Sequence, residues 1–149
     1  MTPGDEAAIG ESVAAFYATF DNRGGRVPDE ARLRAAVSPT ARITRVTPAG
    51  ADSWDLGAFL EPRLELLTGG RLQEFHEWEV TARTVGGERI ASRWSEYAKA
   101  GVMDGVRFQG GGRKVIQLLR QGDGWLISSV LWEDVETPAE TFQEGAPDR

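Results

Sequence analysis

Arg71-Leu72-Gln73-Glu74-Phe75-His76-Glu77-Trp78-Glu79-Val80-Thr81-Ala82-Arg83-Thr84-Val85 decides the reading of this chain, because apolar and polar residues alternate along it with a period of two. The same period continues over about 89–100, 106–120 and 125–134. Gly86-Gly87, Gly101 to Gly105, and Gln121-Gly122-Asp123-Gly124 separate the segments. Four such runs joined by glycine-bearing turns predict an antiparallel meander.

Upstream of the meander the period lengthens. Ile9, Val13, Phe16, Tyr17 and Phe20 make one apolar stripe of a helix between Asp5 and Asn22, ended by Gly24-Gly25. Pro28 opens a short helix to Val37, with Asp29 and Glu30 near its positive end and Pro39 as its stop. Ala41 to Thr47 is rich in β-branched residues and reads as a strand. Asp52 or Ser53 caps a third helix that carries Trp54, Leu56, Phe59, Leu60, Leu64 and Leu67 and closes at Gly69-Gly70, with Pro62 expected to kink or split it. Helices first and strands last predict an α+β fold, with residues 1–135 as one domain. Beyond Val135 the chain turns to Thr, Pro, Ala, Glu and Gly, so 136–149 reads as an acidic, loosely ordered tail.

Composition narrows the function classes. The 149 residues carry 17 basic and 23 acidic side chains, a net charge of −6, and most of the excess falls between Glu133 and Arg149. A nearly neutral body with an acidic tail argues against nucleic acid as a partner. With no cysteine, thiol nucleophiles, disulfides and thiolate-ligated zinc are excluded. One histidine and no His-Glu-x-x-His or EF-hand spacing predict no metal site. Gly110-Gly111-Gly112-Arg113-Lys114 lacks the spacing of a phosphate loop and precedes a strand, so a bulge or bend is expected there. No dinucleotide fingerprint or nucleophile elbow is present, and no cofactor is expected. Met1 to Glu6 has no leader-like character and no apolar run reaches membrane-spanning length, which predicts a cytoplasmic protein without membrane association.

The order helix, helix, strand, helix and long meander resembles the nuclear transport factor 2-like superfamily, over roughly residues 6–134. The resemblance is carried by Ala15-Phe16-Tyr17-Ala18-Thr19-Phe20, by Ser38-Pro39-Thr40-Ala41-Arg42-Ile43, and by the closing hairpin from Val115 to Arg120 and Gly124 to Ser129. It implies three helices on a strongly curved, mostly antiparallel sheet forming a cone with an internal pocket. It also implies frequent homodimers through the sheet face. Members include isomerases, dehydratases, cyclases and epoxide hydrolases as well as non-catalytic binding or association domains, so function has to be argued from the site.

Two registers are open to the hairpin at Gly86-Gly87. A two-residue turn sets His76 against Tyr97, Trp78 against Ser95 and Glu77 against Glu96. A three-residue loop Val85-Gly86-Gly87 pairs Trp78 with Trp94, His76 with Glu96 and, on the other face, Glu79 with Arg93 and Phe75 with Tyr97. The second separates apolar from charged residues better and removes a like-charge pair, so periodicity favours it. It makes His76 and Glu96 a candidate catalytic pair among apolar residues, His76 as general acid or base and Glu96 as its orienter. The alternative, and the commoner use of such a pair, is a hydrogen-bonded structural contact at a sheet end. Tyr17, Phe59, Trp78 and Trp94 are candidate ligand-binding residues for a small apolar or aromatic molecule, with core filling as the alternative for the tryptophans. Glu74 and Lys99 are expected at wetter strand ends. The last two strands are apolar on both faces, which predicts a homodimer with Trp132 or Trp125 near its edge, unless the tail with Phe142 folds back as the cover.

Overall fold

The computed structural model describes residues 1–135; the expected tail 136–149 and its Phe142 lie outside them. Helix α1 (Pro3–Ala18) is followed by a 3-10 turn at Arg23–Gly25, helix α2 (Glu30–Ala36), strands β1 (Val37–Thr47) and β2 (Gly50–Trp54), and helix α3 (Leu56–Thr68). The meander follows as β3 (Leu72–Gly86), β4 (Ile90–Met103), β5 (Val106–Gln121) and β6 (Gly124–Asp134). The six strands form one sheet in the order β2-β1-β6-β5-β4-β3. All pairings are antiparallel except β1 with β6, so the fold is α+β with a mixed sheet that curls around the helices without closing.

Local chemistry explains the ends of the elements. Thr2 and Asp5 form a reciprocal capping box at the start of α1, and the Asp5 carboxylate also accepts from Arg120 and Trp125, tying the helix to the β5–β6 hairpin. Asp55, rather than Asp52 or Ser53, caps α3, because Gly50 to Trp54 is consumed as a strand that folds back on β1. Pro62 neither splits nor ends α3, which runs through it to Thr68. Burying Phe59, Leu60 and Leu67 on either side of it offsets the lost amide bond. The core fills the concavity between the helices and the sheet, with Ile9, Phe16, Leu33, Ile43, Leu60, Ile116 and Ile127 almost fully enclosed. Among the described residues no helix is long and apolar enough to cross a membrane.

The β3–β4 hairpin follows neither expected register. Its tip is Glu88-Arg89, closed by the Gly87 amide donating to the Ile90 carbonyl. Gly86 lies within the strand opposite Ala91, where a Cβ would come within 2.6 Å of the Ile90 oxygen. Gly86 therefore serves close backbone approach, while Gly87 flanks the turn and its amide closes it. Two irregularities follow along β3, one between Gln73 and His76, where Glu74 has φ 50°, and one between Glu79 and Thr81. The resulting pairs are His76 with Ala100, Glu77 with Lys99, Trp78 with Ala98, Glu79 with Tyr97 and Thr81 with Glu96. In contrast, β4 and β5 pair without interruption from Ile90–Leu119 to Met103–Val106. The glycine run at 110–112 thus pairs with β4 without a bulge, where a bulge or bend was expected.

Candidate functional site

Directly paired residues of antiparallel strands share a face of the sheet. Glu77 and Glu79 of β3, Tyr97 and Lys99 of β4, Lys114 of β5, and Trp132 and Asp134 of β6 therefore lie on the concave face beneath the helices. A cavity of about 360 Å³ opens there. Phe16 and Phe20 of α1, Phe59 and Arg63 of α3, and Phe75 and Phe108 of the sheet supply its aromatic and cationic walls. Arg45, Glu77, Lys99, Lys114 and Asp134 supply the polar ones.

Two glycines make room for the polar wall. The Lys99 chain lies across Gly110, with its Cε 2.7 Å from where a Cβ would stand. At Gly112 a Cβ would sit 2.2 Å from the Glu133 carbonyl oxygen and 2.8 Å from the Tyr97 hydroxyl. With both positions bare, the Tyr97 hydroxyl donates to Asp134 at 2.5 Å, and Lys99 Nζ reaches the same oxygen at 3.3 Å. Arg45 bonds the other Asp134 oxygen at 2.9 Å. Burial works to raise the Asp134 pKa, but the Tyr97 hydrogen bond and the two cations outweigh it and hold the carboxyl below its usual range.

Deeper in, Lys114 is 4 % exposed. Its Nζ lies 3.3 Å from Glu77 Oε1 and 4.0 Å from the centre of the Tyr97 ring, with the Tyr17, Trp132 and Phe16 rings between 5.2 and 5.9 Å away. Glu77 Oε1 is buried and makes no hydrogen bond, so its contact with Lys114 is an ion pair without hydrogen-bond alignment. Burial drives the Lys114 pKa down, and the attraction of Glu77 recovers only part of the fall. Behind this pair, Tyr17 shares a 2.7 Å hydrogen bond with Ser95, which donates to Glu79, and Arg93 clasps Glu79 through two nitrogens. The Glu79–Arg93 pair that the sequence suggested is thus made by side chains, although the two residues are not opposite in the ladder.

Arg63 differs from the other cations. Its guanidinium lies 4.0 Å from the centre of the Phe59 ring and within 5.7 Å of those of Trp54 and Trp132. Its hydrogen bond goes to the Phe59 carbonyl, and among the described residues it has no carboxylate partner. Burial, and secondarily the like charge of Arg45, lower its pKa.

The six residues singled out from sequence are distributed otherwise than expected. Phe59 lines the cavity, and Tyr17 stands one layer behind it beside Lys114. His76 and Trp78 share the convex face with Ala98 and Ala100 and stack on each other with ring centres 4.4 Å apart. Trp94 and Glu96 lie on the convex face as well, joined by a bond from the indole to the carboxylate. His76 and Glu96 are not opposite each other. Ala100, the partner of His76, is four residues from Glu96 along β4, about 13 Å at ~3.3 Å per residue. The missed residues are Glu77, Lys99, Arg63 and Lys114. One signal for them was legible: Lys99 and Lys114 are the only lysines in a chain whose other basic side chains are all arginine. Among the described residues no group of three or more metal-ligating side chains converges.

No family model matches this sequence, and no curated protein matches it. Solved structures do. A protein of unknown function with a cystatin-like fold from Nostoc punctiforme is 15% identical, with 93% of this chain and 98% of that one covered and a TM-score of 0.70. A nuclear transport factor 2-like superfamily protein from Salmonella enterica is 13% identical over 98% of this chain and 96% of its own, with a TM-score of 0.68. A hexachlorocyclohexane dehydrochlorinase is 16% identical over 87% and 84%, with a TM-score of 0.66. The chain has the cystatin-like fold of the nuclear transport factor 2-like proteins, an architecture that carries enzymes and proteins of unknown function alike.

Proposed function

We propose that this protein binds a small organic acid with a flat apolar body in the cavity under α3. Its chemistry is a cofactor-free proton transfer of isomerase, cyclase or dehydratase type, with the Glu77–Lys114 pair in the role first expected of His76 and Glu96. The observation that carries this reading is Arg63. A half-buried guanidinium without a carboxylate, held over aromatic rings at the wall of an apolar cavity, matches a ligand carboxylate bidentately while the rings hold the apolar body. The similarity to a dehydrochlorinase supports a catalytic use of the fold.

Titration with 2-naphthoate, followed by the fluorescence of Trp54 and Trp132 beside Arg63, tests the reading. The expected result is saturable quenching that Arg63→Gln weakens about 10- to 100-fold, the range of one charge-assisted contact. His76→Gln, on the convex face, leaves the affinity unchanged. Equal affinity for the neutral 2-naphthalenemethanol, or no effect of Arg63→Gln, would refute the acid pocket.

A homodimer through the convex face belongs to the same proposal. Trp94, Val115 and Leu131 are paired in one row across β4, β5 and β6, and Ile90, Leu119 and Leu126 in another. Ile90, Trp94 and Leu131 are 71 %, 41 % and 44 % exposed in the single chain. Trp125 and Trp132, expected at the edge of such an interface, are instead turned to the core, where Trp125 is buried and Trp132 joins the cavity wall.

A further inference from the structure

The lysines raise a question that the acid pocket does not answer. Arginine serves every other cationic position, yet the only two lysines both stand in one cavity wall. An arginine would anchor an anion as well or better. What lysine adds is a primary amine that becomes a nucleophile once deprotonated.

We propose that Lys114 is an amine nucleophile that condenses with the carbonyl group of an oxo acid to form an imine, with Glu77 carrying the protons. The proposal rests on the acid pocket and names its substrate class, a carboxylic acid bearing an aldehyde or ketone. Four observations support it. Lys114 Nζ is buried yet borders the cavity. Four aromatic rings have their centres within 5.9 Å of it. Glu77 Oε1 stands 3.3 Å away and forms no hydrogen bond, so it is able to take a proton. Lys99, a second cation on the neighbouring strand, opposes a charge on Lys114, in line with the lowered pKa that burial produces.

The step balances within the site. The Nζ lone pair attacks the carbonyl carbon, the C=O π electrons move to oxygen, and Glu77 takes one proton from nitrogen and returns it to that oxygen to give the carbinolamine. The same carboxylate then carries the second nitrogen proton to the hydroxyl as the C–O bond breaks, so water leaves and a C=N bond replaces C=O. One carbonyl and one amine give one imine and one water, with no oxidant or reductant. The iminium form withdraws electrons from the adjacent carbon, and that is how the amine assists proton removal there.

The test is reductive trapping of the full chain with 4-formylbenzoate and sodium cyanoborohydride, followed by intact mass and peptide mapping. The expected product is one adduct per chain, heavier by the probe mass less one oxygen, on Lys114 at least tenfold faster than on Lys99 or the Met1 amine. Excess 2-naphthoate slows it, and Lys114→Met abolishes it. Mapping of the unaltered protein keeps the test decisive if that variant fails to fold. If 4-formylbenzoate quenches tryptophan fluorescence in competition with 2-naphthoate and no adduct forms, or the adduct spreads evenly over the three amines, the imine is overturned while the acid pocket stands. If the adduct forms on Lys114 and 2-naphthoate neither binds nor slows it, the amine stands and the acid pocket falls.

Discussion

Gly112 shows how much one absent side chain decides. A Cβ there would overlap the Glu133 carbonyl at 2.2 Å and press on the Tyr97 hydroxyl, so the β5–β6 ladder and the Tyr97–Asp134 bond both depend on its absence. Gly112→Ala is expected to destabilise the protein by about 1–3 kcal/mol, the usual cost of overpacking, and urea unfolding measures it. Wild-type stability in that variant would mean that β6 shifts freely. Neighbouring Gly110 yields to a different obstacle, the flexible Lys99 chain, so the same substitution there costs less stability. The glycine run was visible in the sequence as a signal, but its meaning depends on which residues of β4 and β6 lie beside it.

Between elements, the most concentrated joint is Asn22. Its amide donates to the Leu67 and Leu72 carbonyls and its oxygen accepts from the Phe75 amide, while its own backbone N–H donates to the Phe75 carbonyl. One buried side chain thus links the exit of α1, the end of α3 and the start of β3 where the cavity begins. Asn22→Ala leaves three buried backbone groups without that partner, at about 1–3 kcal/mol for each group left unsatisfied. A loss on the order of 3 kcal/mol in denaturant unfolding is expected, and a loss below 1 kcal/mol would show that water replaces the amide. The helices and strands were largely legible from periodicity: the stripe from Ile9 to Tyr17 and the alternation after Leu72 fall within the observed elements, while Phe20 lies just past the end of α1. Strand β2 was not, because Gly50 to Trp54 alternates weakly and owes its conformation to the ladder with β1.

At the scale of the whole molecule, the curled sheet has two faces of different character. The concave face holds the cavity, and the convex face presents apolar rows ending in Trp94, Ile90 and Leu131. Light scattering is expected to show the mass of a dimer, and Leu131→Asp, which places a charge in the centre of one row, is expected to give a folded monomer. A monomeric wild-type protein at micromolar concentration would remove the dimer from the proposal.

The sequence by itself determined the α+β order of elements and the meander, because periods of 2 and 3.6 are properties of neighbouring residues and survive without knowledge of the partners. It also contained the pairing of many arginines with only two lysines. Tertiary structure alone decided which face each β3 residue takes. Two irregularities and a turn displaced to Glu88-Arg89 carried His76 to the outside and Glu77 to the inside. A strand alternates with a period of two, so a single extra residue exchanges its faces, and no local pattern announces where that residue is inserted. For that reason the fold was readable from the chain, whereas the site, which depends on register at every position, became visible only when the strands were paired.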